Sequence, residues 1–289
     1  PALQQELAGY RQQLSDSYLI DREVTDKLIR EAYERVQQDV EISHVLAAVS
    51  PNATPSDTLA AYQKILNVKK KLDQGAQLAD LASVVSDDRA TKDRGGKVGY
   101  INALLPNGFY PLETVAYTLP EGETSDIIRT SAGYHIVQVH DRRPARGEVE
   151  VAHILARKAK DGSNAAAAKA KIDSLYQALE SGAEFEQLAQ QYSDDKATAP
   201  RNGYLGIFGI NRYEKPFEDA AFALEEDEAY SEPIETSIGW HIIKRISKKD
   251  IQPFAIEKSR LEAQIKQDAR FEKAKEAMIE RIKKDASFQ

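Results

Sequence analysis

The chain has 289 residues, 42% hydrophobic and 29% charged, the composition of a folded polypeptide long enough for two or more domains. Its net charge of -7 and pI near 5.4 exclude the basic footprint of a nucleic-acid binder. The absence of cysteine removes disulfides, thiolate nucleophiles and cysteine zinc sites and suits an oxidising compartment, and no apolar run of about 18 residues predicts a membrane span.

The opening Pro1-Ala2-Leu3-Gln4 shows no signal-peptide pattern and reads as trimmed. Residues 1–39 carry helical spacing twice, at Leu3, Leu7, Tyr10 and Leu14 and again at Leu28, Ala32 and Val36. A first folded unit is expected over residues 40–142. It opens with an alternating strand, Val40-Glu41-Ile42-Ser43-His44-Val45-Leu46, with His44 on the same face as apolar residues. Loop, helix, short helix, glycine-rich loop, turn, helix and closing strand follow. Residues 141–147, with Pro144 and Gly147, read as a hinge.

A second unit, over residues 148–247, repeats this order. Its first helix carries Ile172, Leu175, Tyr176 and Leu179 and stops at Gly182, a C-cap signal. The tail, residues 251–289, is again helical in spacing, with Leu261, Ile265 and Ala269 and then Phe271, Ala274, Met278 and Ile282 among dense charges. The apolar stripes of both flanks need a partner surface. They can pair with each other or grip an unfolded polypeptide, and the spacing fits both.

The two units are a duplication. Gly75-Ala76-Gln77-Leu78-Ala79-Asp80-Leu81-Ala82-Ser83-Val84-Val85-Ser86-Asp87-Asp88 aligns without a gap on Gly182-Ala183-Glu184-Phe185-Glu186-Gln187-Leu188-Ala189-Gln190-Gln191-Tyr192-Ser193-Asp194-Asp195. The match extends to Val149-Glu150-Val151-Ala152-His153-Ile154-Leu155 upstream, and downstream to Gly133-Tyr134-His135-Ile136-Val137 against Gly239-Trp240-His241-Ile242-Ile243. Sheets with packed helices, in α+β fashion, are the expected layers.

Four of the five histidines, His44, His135, His153 and His241, fall at equivalent positions, two per unit, and the mid-unit Asp-Asp recurs with them. One histidine on an apolar strand face is a core residue by default. Two per unit with a recurring carboxylate point to a shared polar site. A metal site remains open by ligand type, although no pair has the close spacing of a helical or hairpin metal motif. Arg157, Lys158 and Lys160 form a basic loop, either solvated or anion-binding, and Trp240 is expected to pack. The glycines at Gly95-Gly96 and Gly203 lack the Lys-Ser/Thr of a phosphate cradle.

The second unit carries His153-Ile154-Leu155, Tyr192-Ser193-Asp194-Asp195, Asn202-Gly203-Tyr204-Leu205-Gly206-Ile207-Phe208, Lys215-Pro216-Phe217-Glu218-Asp219-Ala220-Ala221-Phe222-Ala223-Leu224 and Glu232-Pro233-Ile234-Glu235-Thr236-Ser237-Ile238-Gly239-Trp240-His241-Ile242-Ile243. With these motifs it resembles a parvulin-type peptidyl-prolyl isomerase domain over its whole length. The first unit resembles it more loosely, through Ile42-Ser43-His44-Val45-Leu46, Val85-Ser86-Asp87-Asp88, Gly95-Gly96-Lys97-Val98-Gly99 and Gly133-Tyr134-His135-Ile136-Val137. The whole chain is similar to the SurA and PrsA class of folding factors, in which helical segments surround parvulin domains. The resemblance implies an α+β fold of two parvulin-like domains, each an antiparallel or mixed four-stranded sheet with helices packed on it, between helical flanks.

Motif by motif, the resemblance makes His153 and His241 the paired histidines of the second unit, with Asp195 where parvulins carry Cys or Asp. Thr236 joins the polar network, and Leu205, Tyr213 and Phe217 line a proline pocket, Tyr213 standing where many relatives have Met. The equivalents in the first unit are His44, Asp88, Val98, Thr130 and His135. There Leu112 stands where the pocket Phe is expected and Ala132 where a small polar residue often lies. The loop from Asn102 to Pro111 is longer than its counterpart, so spacing does not assign the pocket residue there, and Phe109 is the expected one. These departures make the second unit the expected active one.

The implied activity is cis/trans isomerisation of X–Pro bonds in unfolded or proline-containing polypeptides, with chaperone action, in the cell envelope, and with no cofactor, metal or nucleic acid. No bond breaks in such a reaction. The apolar slot would strip water from the amide, and donors around His153, His241 and Thr236 would favour the twisted amide while Asp195 sets the histidine tautomers. The alternative is a non-catalytic holdase that uses the same units as peptide-binding modules.

Overall fold

The computed structural model describes residues 22–286. Its contacts divide them into two compact units, one running through Ala145 and resuming at Gln252, the other Arg146–Ile251.

The first unit opens with helix α1 (residues 22–36), which buries Val24, Leu28, Ile29, Ala32 and Val36. Then come β1 (Gln38–Ala48), α2 (Pro55–Asp73), α3 (Leu78–Val85), a 3-10 turn (Lys92–Arg94), β2 (Lys97–Ile101), α4 (Tyr110–Thr118), β3 (Ile128–Arg129) and β4 (Gly133–Pro144). The second unit repeats the series as β5 (Glu148–Arg157), α5 (Ala165–Glu180), α6 (Phe185–Tyr192), a 3-10 turn (Ala199–Arg201), β6 (Tyr204–Phe208), α7 (Lys215–Ala223), β7 (Ile234–Thr236) and β8 (Gly239–Lys249). Helices α8 (Phe254–Lys266) and α9 (Ala269–Ala286) complete the described chain.

Each unit holds one four-stranded sheet, ordered β2-β1-β4-β3 and β6-β5-β8-β7, with every pairing antiparallel. The long central strands are buried on both faces, and the period-2 alternation sorts their side chains. On β1, Val40 and Ile42 pack with Leu112 and Ala116 of α4, whereas Val45 and Ala47 pack with Ile65 of α2 and Ala82 of α3. On β5, Val149 and Val151 meet Phe217 and Ala221 of α7, while Ile154 and Ala156 meet Ile172 of α5 and Ala189 of α6. The paired histidines fall on the α4 and α7 faces.

The glycine-rich loops differ from expectation, because β2 and β6 start within them. Gly96 and Gly203 both sit at φ +77°, and their carbonyls accept the His44 and His153 amides at 2.9 Å. A β-carbon at either glycine would lie 2.2 or 2.1 Å from that histidine's carbonyl oxygen. Only glycine lets the edge strand come this close, and the ladder shifts register beside the contact, between Ile42 and Ser43 and between Val151 and Ala152.

Residues 141–147 also differ from the expected hinge. Residues 141–144 continue β4, pairing with Gln38, Asp39, Val40 and Glu41, and the Ala145 amide donates to the Gln37 carbonyl at 2.8 Å. Ladder pairing satisfies this backbone, so residues 145–147 alone join the two strands.

The flanking helices meet each other. The rings of Tyr33 and Phe254 pack edge to face at 5.1 Å, and the Arg30 guanidinium lies 5.5 Å from Phe254. Leu261 and Ile265 are fully buried and Phe271 nearly so, while Ala274 and Met278 are half-buried. Leu3, Leu7, Tyr10 and Leu14 lie outside the described residues, as does the Ile282 side chain.

Candidate active site

In the second unit one hydrogen-bonded chain crosses the sheet. Thr236 Oγ1 lies 2.8 Å from His241 Nε2, His241 Nδ1 lies 3.1 Å from His153 Nδ1, and His153 Nε2 lies 2.9 Å from Asp195 Oδ2. The first unit repeats it with Thr130–His135 at 2.8 Å, His135–His44 at 3.2 Å and His44–Asp88 at 2.8 Å. The imidazoles stack at 5.3 Å in both.

Strand register brings these groups together. His153 on β5 and His241 on β8 stand on adjacent strands, with His241 opposite Leu155, so the two rings meet diagonally on one face. Thr236 ends β7, opposite Gly239. The first aspartate of each pair works elsewhere: Asp194 accepts the Arg157 amide and the Lys171 ammonium, and its own amide donates to Leu155 O. That strap ties the segment after α6 to β5 and leaves Asp195 facing the histidine.

The direction of every proton follows from chemistry. An ionised carboxylate only accepts, so His153 donates from Nε2 and, when neutral, accepts at Nδ1. His241 therefore donates from Nδ1 and accepts the Thr236 hydroxyl at Nε2. All four ring nitrogens are engaged within the chain, and the same holds in the first unit. Among the described residues no group of three histidine or carboxylate side chains is arranged to hold a metal.

Electrostatics agrees with neutral rings. Burial, reinforced by the neighbouring imidazole, pushes His241 and His135 down to about 3. Burial also lowers His153, against the pull of Asp195. At Asp195 burial acts upward, but hydrogen bonds from Thr198 and His153 outweigh it and hold the carboxyl below its usual range. Asp88 behaves alike with Thr91 and His44. Asp195 and Asp88 stay charged, and His241 and His135 stay neutral, across the neutral range.

An aromatic cluster lies against the chain. The Phe217 ring meets His241 edge-on at 5.2 Å and His153 at 6.0 Å. Tyr213 tilts onto Phe217 at 4.9 Å and meets Phe208 at 4.8 Å, with Leu205 half-buried beside them. Phe217 is only 2% exposed, so Tyr213 and Leu205 form the accessible part of the expected pocket. In the first unit Leu112 is buried among the core residues, and Phe109, one turn earlier, places its ring 6.0 Å from His135 with Val98 half-buried nearby.

Two recurring groups, a threonine and a serine, and one ring of the second unit alone have roles that escaped the sequence reading. Thr198 hydrogen-bonds Asp195 Oδ2 at 2.6 Å and Thr91 serves Asp88; Ser193, fully buried, accepts the Leu155 amide at 3.1 Å. Phe208 belongs to the aromatic cluster. Thr91 and Thr198 recur three residues after each aspartate, so the repeat itself carried their signal. Trp240 packs on the α5 face with the Lys169 ammonium 4.8 Å from its ring, and Lys158 pairs with Glu235 at 2.7 Å.

The sequence matches the PPIC-type PPIase (rotamase) domain family over residues 44–141 and again over 153–247. A protein of Alkalilimnicola ehrlichii named Chaperone SurA is 27% identical over 290 residues, covering 96% of this chain and 66% of its own length. The Chaperone SurA of Nitrosococcus oceani is 30% identical over 249 residues, covering 83% and 57%. A crystal structure of the peptidylprolyl isomerase PrsA from Bacillus cereus aligns with 47% of this chain and 50% of its own at 30% identity, with a TM-score of 0.33. The chain thus spans between half and two-thirds of the length of the curated relatives it matches.

Proposed function

This chain belongs to the PPIC-type PPIase (parvulin) family, and from that premise we propose that it catalyses cis/trans isomerisation of X–Pro bonds in unfolded polypeptides, chiefly through its second unit. The observation that carries the reading is the chain Thr236–His241–His153–Asp195 closed against the Phe217 ring.

Rotation about a prolyl amide has to pass a barrier of about 18–20 kcal/mol, set by loss of resonance. Every imidazole N–H here is already donated within the chain, so the histidines have no proton to offer a substrate. Their work is to hold Asp195 ionised and oriented, with its side chain 19% exposed and able to meet a peptide. The planar amide carries its excess negative charge on the carbonyl oxygen. A fixed carboxylate near that oxygen disfavours the planar form relative to the twisted one, which is preorganised electrostatics acting on the difference between the two states. Leu205 and Tyr213 hold the proline and exclude water from the amide.

Substrates on this reading are unfolded, proline-containing chains met outside the cytoplasm, as for folding factors of this class. Among the described residues no helix is long and apolar enough to cross a membrane. A protease-coupled assay on a short X–Pro peptide tests the activity, comparing wild type with Asp195→Ala and Asp88→Ala. Turnover lost only with Asp195→Ala is expected; a folded wild type without turnover on any X–Pro peptide sinks the enzyme reading. The holdase alternative is favoured by one observation in the first unit: Leu112 stands at the Phe217 position, and the polar chain meets a ring only through Phe109, at 6.0 Å from His135. That unit is assigned peptide binding.

A further inference from the structure

Glu113 and Glu218 are the fourth residues of α4 and α7, each following a Pro-apolar pair, Pro111-Leu112 or Pro216-Phe217. Both are buried, at 0% and 7% exposure. Each helix is preceded by a loop that bends at a left-handed non-glycine residue, Leu104 at φ 63° or Asn211 at φ 65°. Each glutamate accepts the amide immediately after that bend, Leu105 at 3.0 Å and Arg212 at 2.6 Å.

Beyond this shared bond the two diverge. Glu218 directs its remaining capacity to the same loop, accepting the Asn211 amide at 3.1 Å and the Tyr213 amide at 2.8 Å. Three successive amides thus converge on one carboxylate. Glu113 instead accepts Arg35 of α1 at 3.0 Å and a two-pronged pairing from Arg270 of α9 at 3.1 Å on each oxygen. The loop held by Glu218 is the one that lays Tyr213 on Phe217 and Phe208. Glu218 is buried, so water is poorly placed to substitute for it.

We propose that Glu218 is a positioning residue of the second unit, its carboxylate holding the backbone of residues 211–213 so that Tyr213 forms a wall for a bound proline segment, whereas the equivalent Glu113 has been redirected to seat the flanking helices. The substrate half of this statement rests on the functional reading above; the backbone half stands on the geometry alone.

The experiment uses the full chain, with amide exchange at residues 211–213 and titration of a short X–Pro peptide followed at Tyr213. In Glu218→Gln the amide nitrogen replaces one acceptor and confronts an N–H. Exchange at 211–213 is expected to speed up and the peptide Kd to rise, each about tenfold, with kcat changed less than about twofold. Glu113→Gln is expected to leave all three readouts alone. Tyr213→Ala should weaken the peptide as much while the 211–213 amides stay protected, so the wall is tested without touching the carboxylate. Released amides with an unchanged Kd, or an equal effect from Glu113→Gln, overturn the proposal. A wild type that binds peptide at Tyr213 without turning it over removes the catalytic reading and leaves this one standing on Kd; a wild type with no peptide response removes both.

Discussion

The Nδ1 atoms of His153 and His241 stand 3.1 Å apart, so one must donate and the other accept, and the two rings cannot both carry a proton there. His44 and His135 repeat the relationship at 3.2 Å. Protonating either buried pair breaks its central bond and places positive charge between stacked rings.

A pH dependence of stability follows. Burial takes His241 from an ordinary value of 6.5 in the unfolded chain to about 3 when folded, and burial also lowers His153, against the pull of Asp195. A depressed folded value means that the unfolded state takes up the proton first. The His241 contribution is fully present above pH 6.5 and drains away as pH falls toward 3, at about 1.4 kcal/mol per pH unit, and His153 adds a loss in the same direction. Asp195, also depressed, adds a loss in the same direction at lower pH. Urea midpoints between pH 7.5 and 4.5 check this, and isomerase rates at constant folded fraction should stay flat from pH 6 to 8. A rate profile that titrates at 6.5 contradicts neutral histidines.

Thr236 is the only donor to His241 Nε2 on the described chain, at a ring 2% exposed. Thr236→Val keeps the shape and strands a buried acceptor, an expected cost of about 1–3 kcal/mol in the second unit. Thr130→Val should cost the first unit the same. Isomerase activity should fall only with Thr236→Val, and equal falls for both would assign turnover to both units.

Phe217 belongs at once to the core and to the site. Phe217→Ala is expected to lose about 3–5 kcal/mol, so its activity has to be read against the fraction folded. Phe217→Leu, which copies Leu112, should keep the fold by thermal denaturation and lower turnover by removing the ring that faces His241.

Glu113 carries two buried arginines. Glu113→Ala leaves Arg35 and Arg270 without their shared carboxylate and should cost the first unit about 3–5 kcal/mol, with loosened α1 and α9 seen as faster amide exchange. The second unit's melting should not move.

Gly203→Ala would put a methyl 2.1 Å from the His153 carbonyl oxygen at φ +77°, so β6 must withdraw from β5. Lost second-unit stability together with shifted His153 signals in NMR is the expected result; an unchanged spectrum would remove the close-approach argument.

Much of this was legible before any coordinates. Alternation on residues 40–46 and 149–155 marked the central strands, helical spacing marked α5 and α6, the duplication marked the recurring histidines and Asp-Asp pairs, and the family resemblance singled out Asp88 and Asp195, which the fold sets beside His44 and His153. These features are local, set by side-chain period and chain punctuation. Edge strands β2 and β6 were read as loops because glycine spacing carries no strand period, and their strand character comes from pairing with β1 and β5. Residues 141–144 were read as a hinge for the same reason.

The sequence by itself determined the duplication, the α+β layers and which polar residues recur, because those depend on residue order and periodicity. Only the tertiary structure decided how they are used. The Nδ1-to-Nδ1 contact needs two strands in a particular register, and the burial that neutralises the histidines needs the whole core around them. The loop before α4 sets how near the Phe109 ring comes to His135, at 6.0 Å. Glu113 and Glu218 are identical in residue and helix position. Their different tasks arise because α1 and α9 bring two arginines to one of them, from parts of the sequence far from it in the chain.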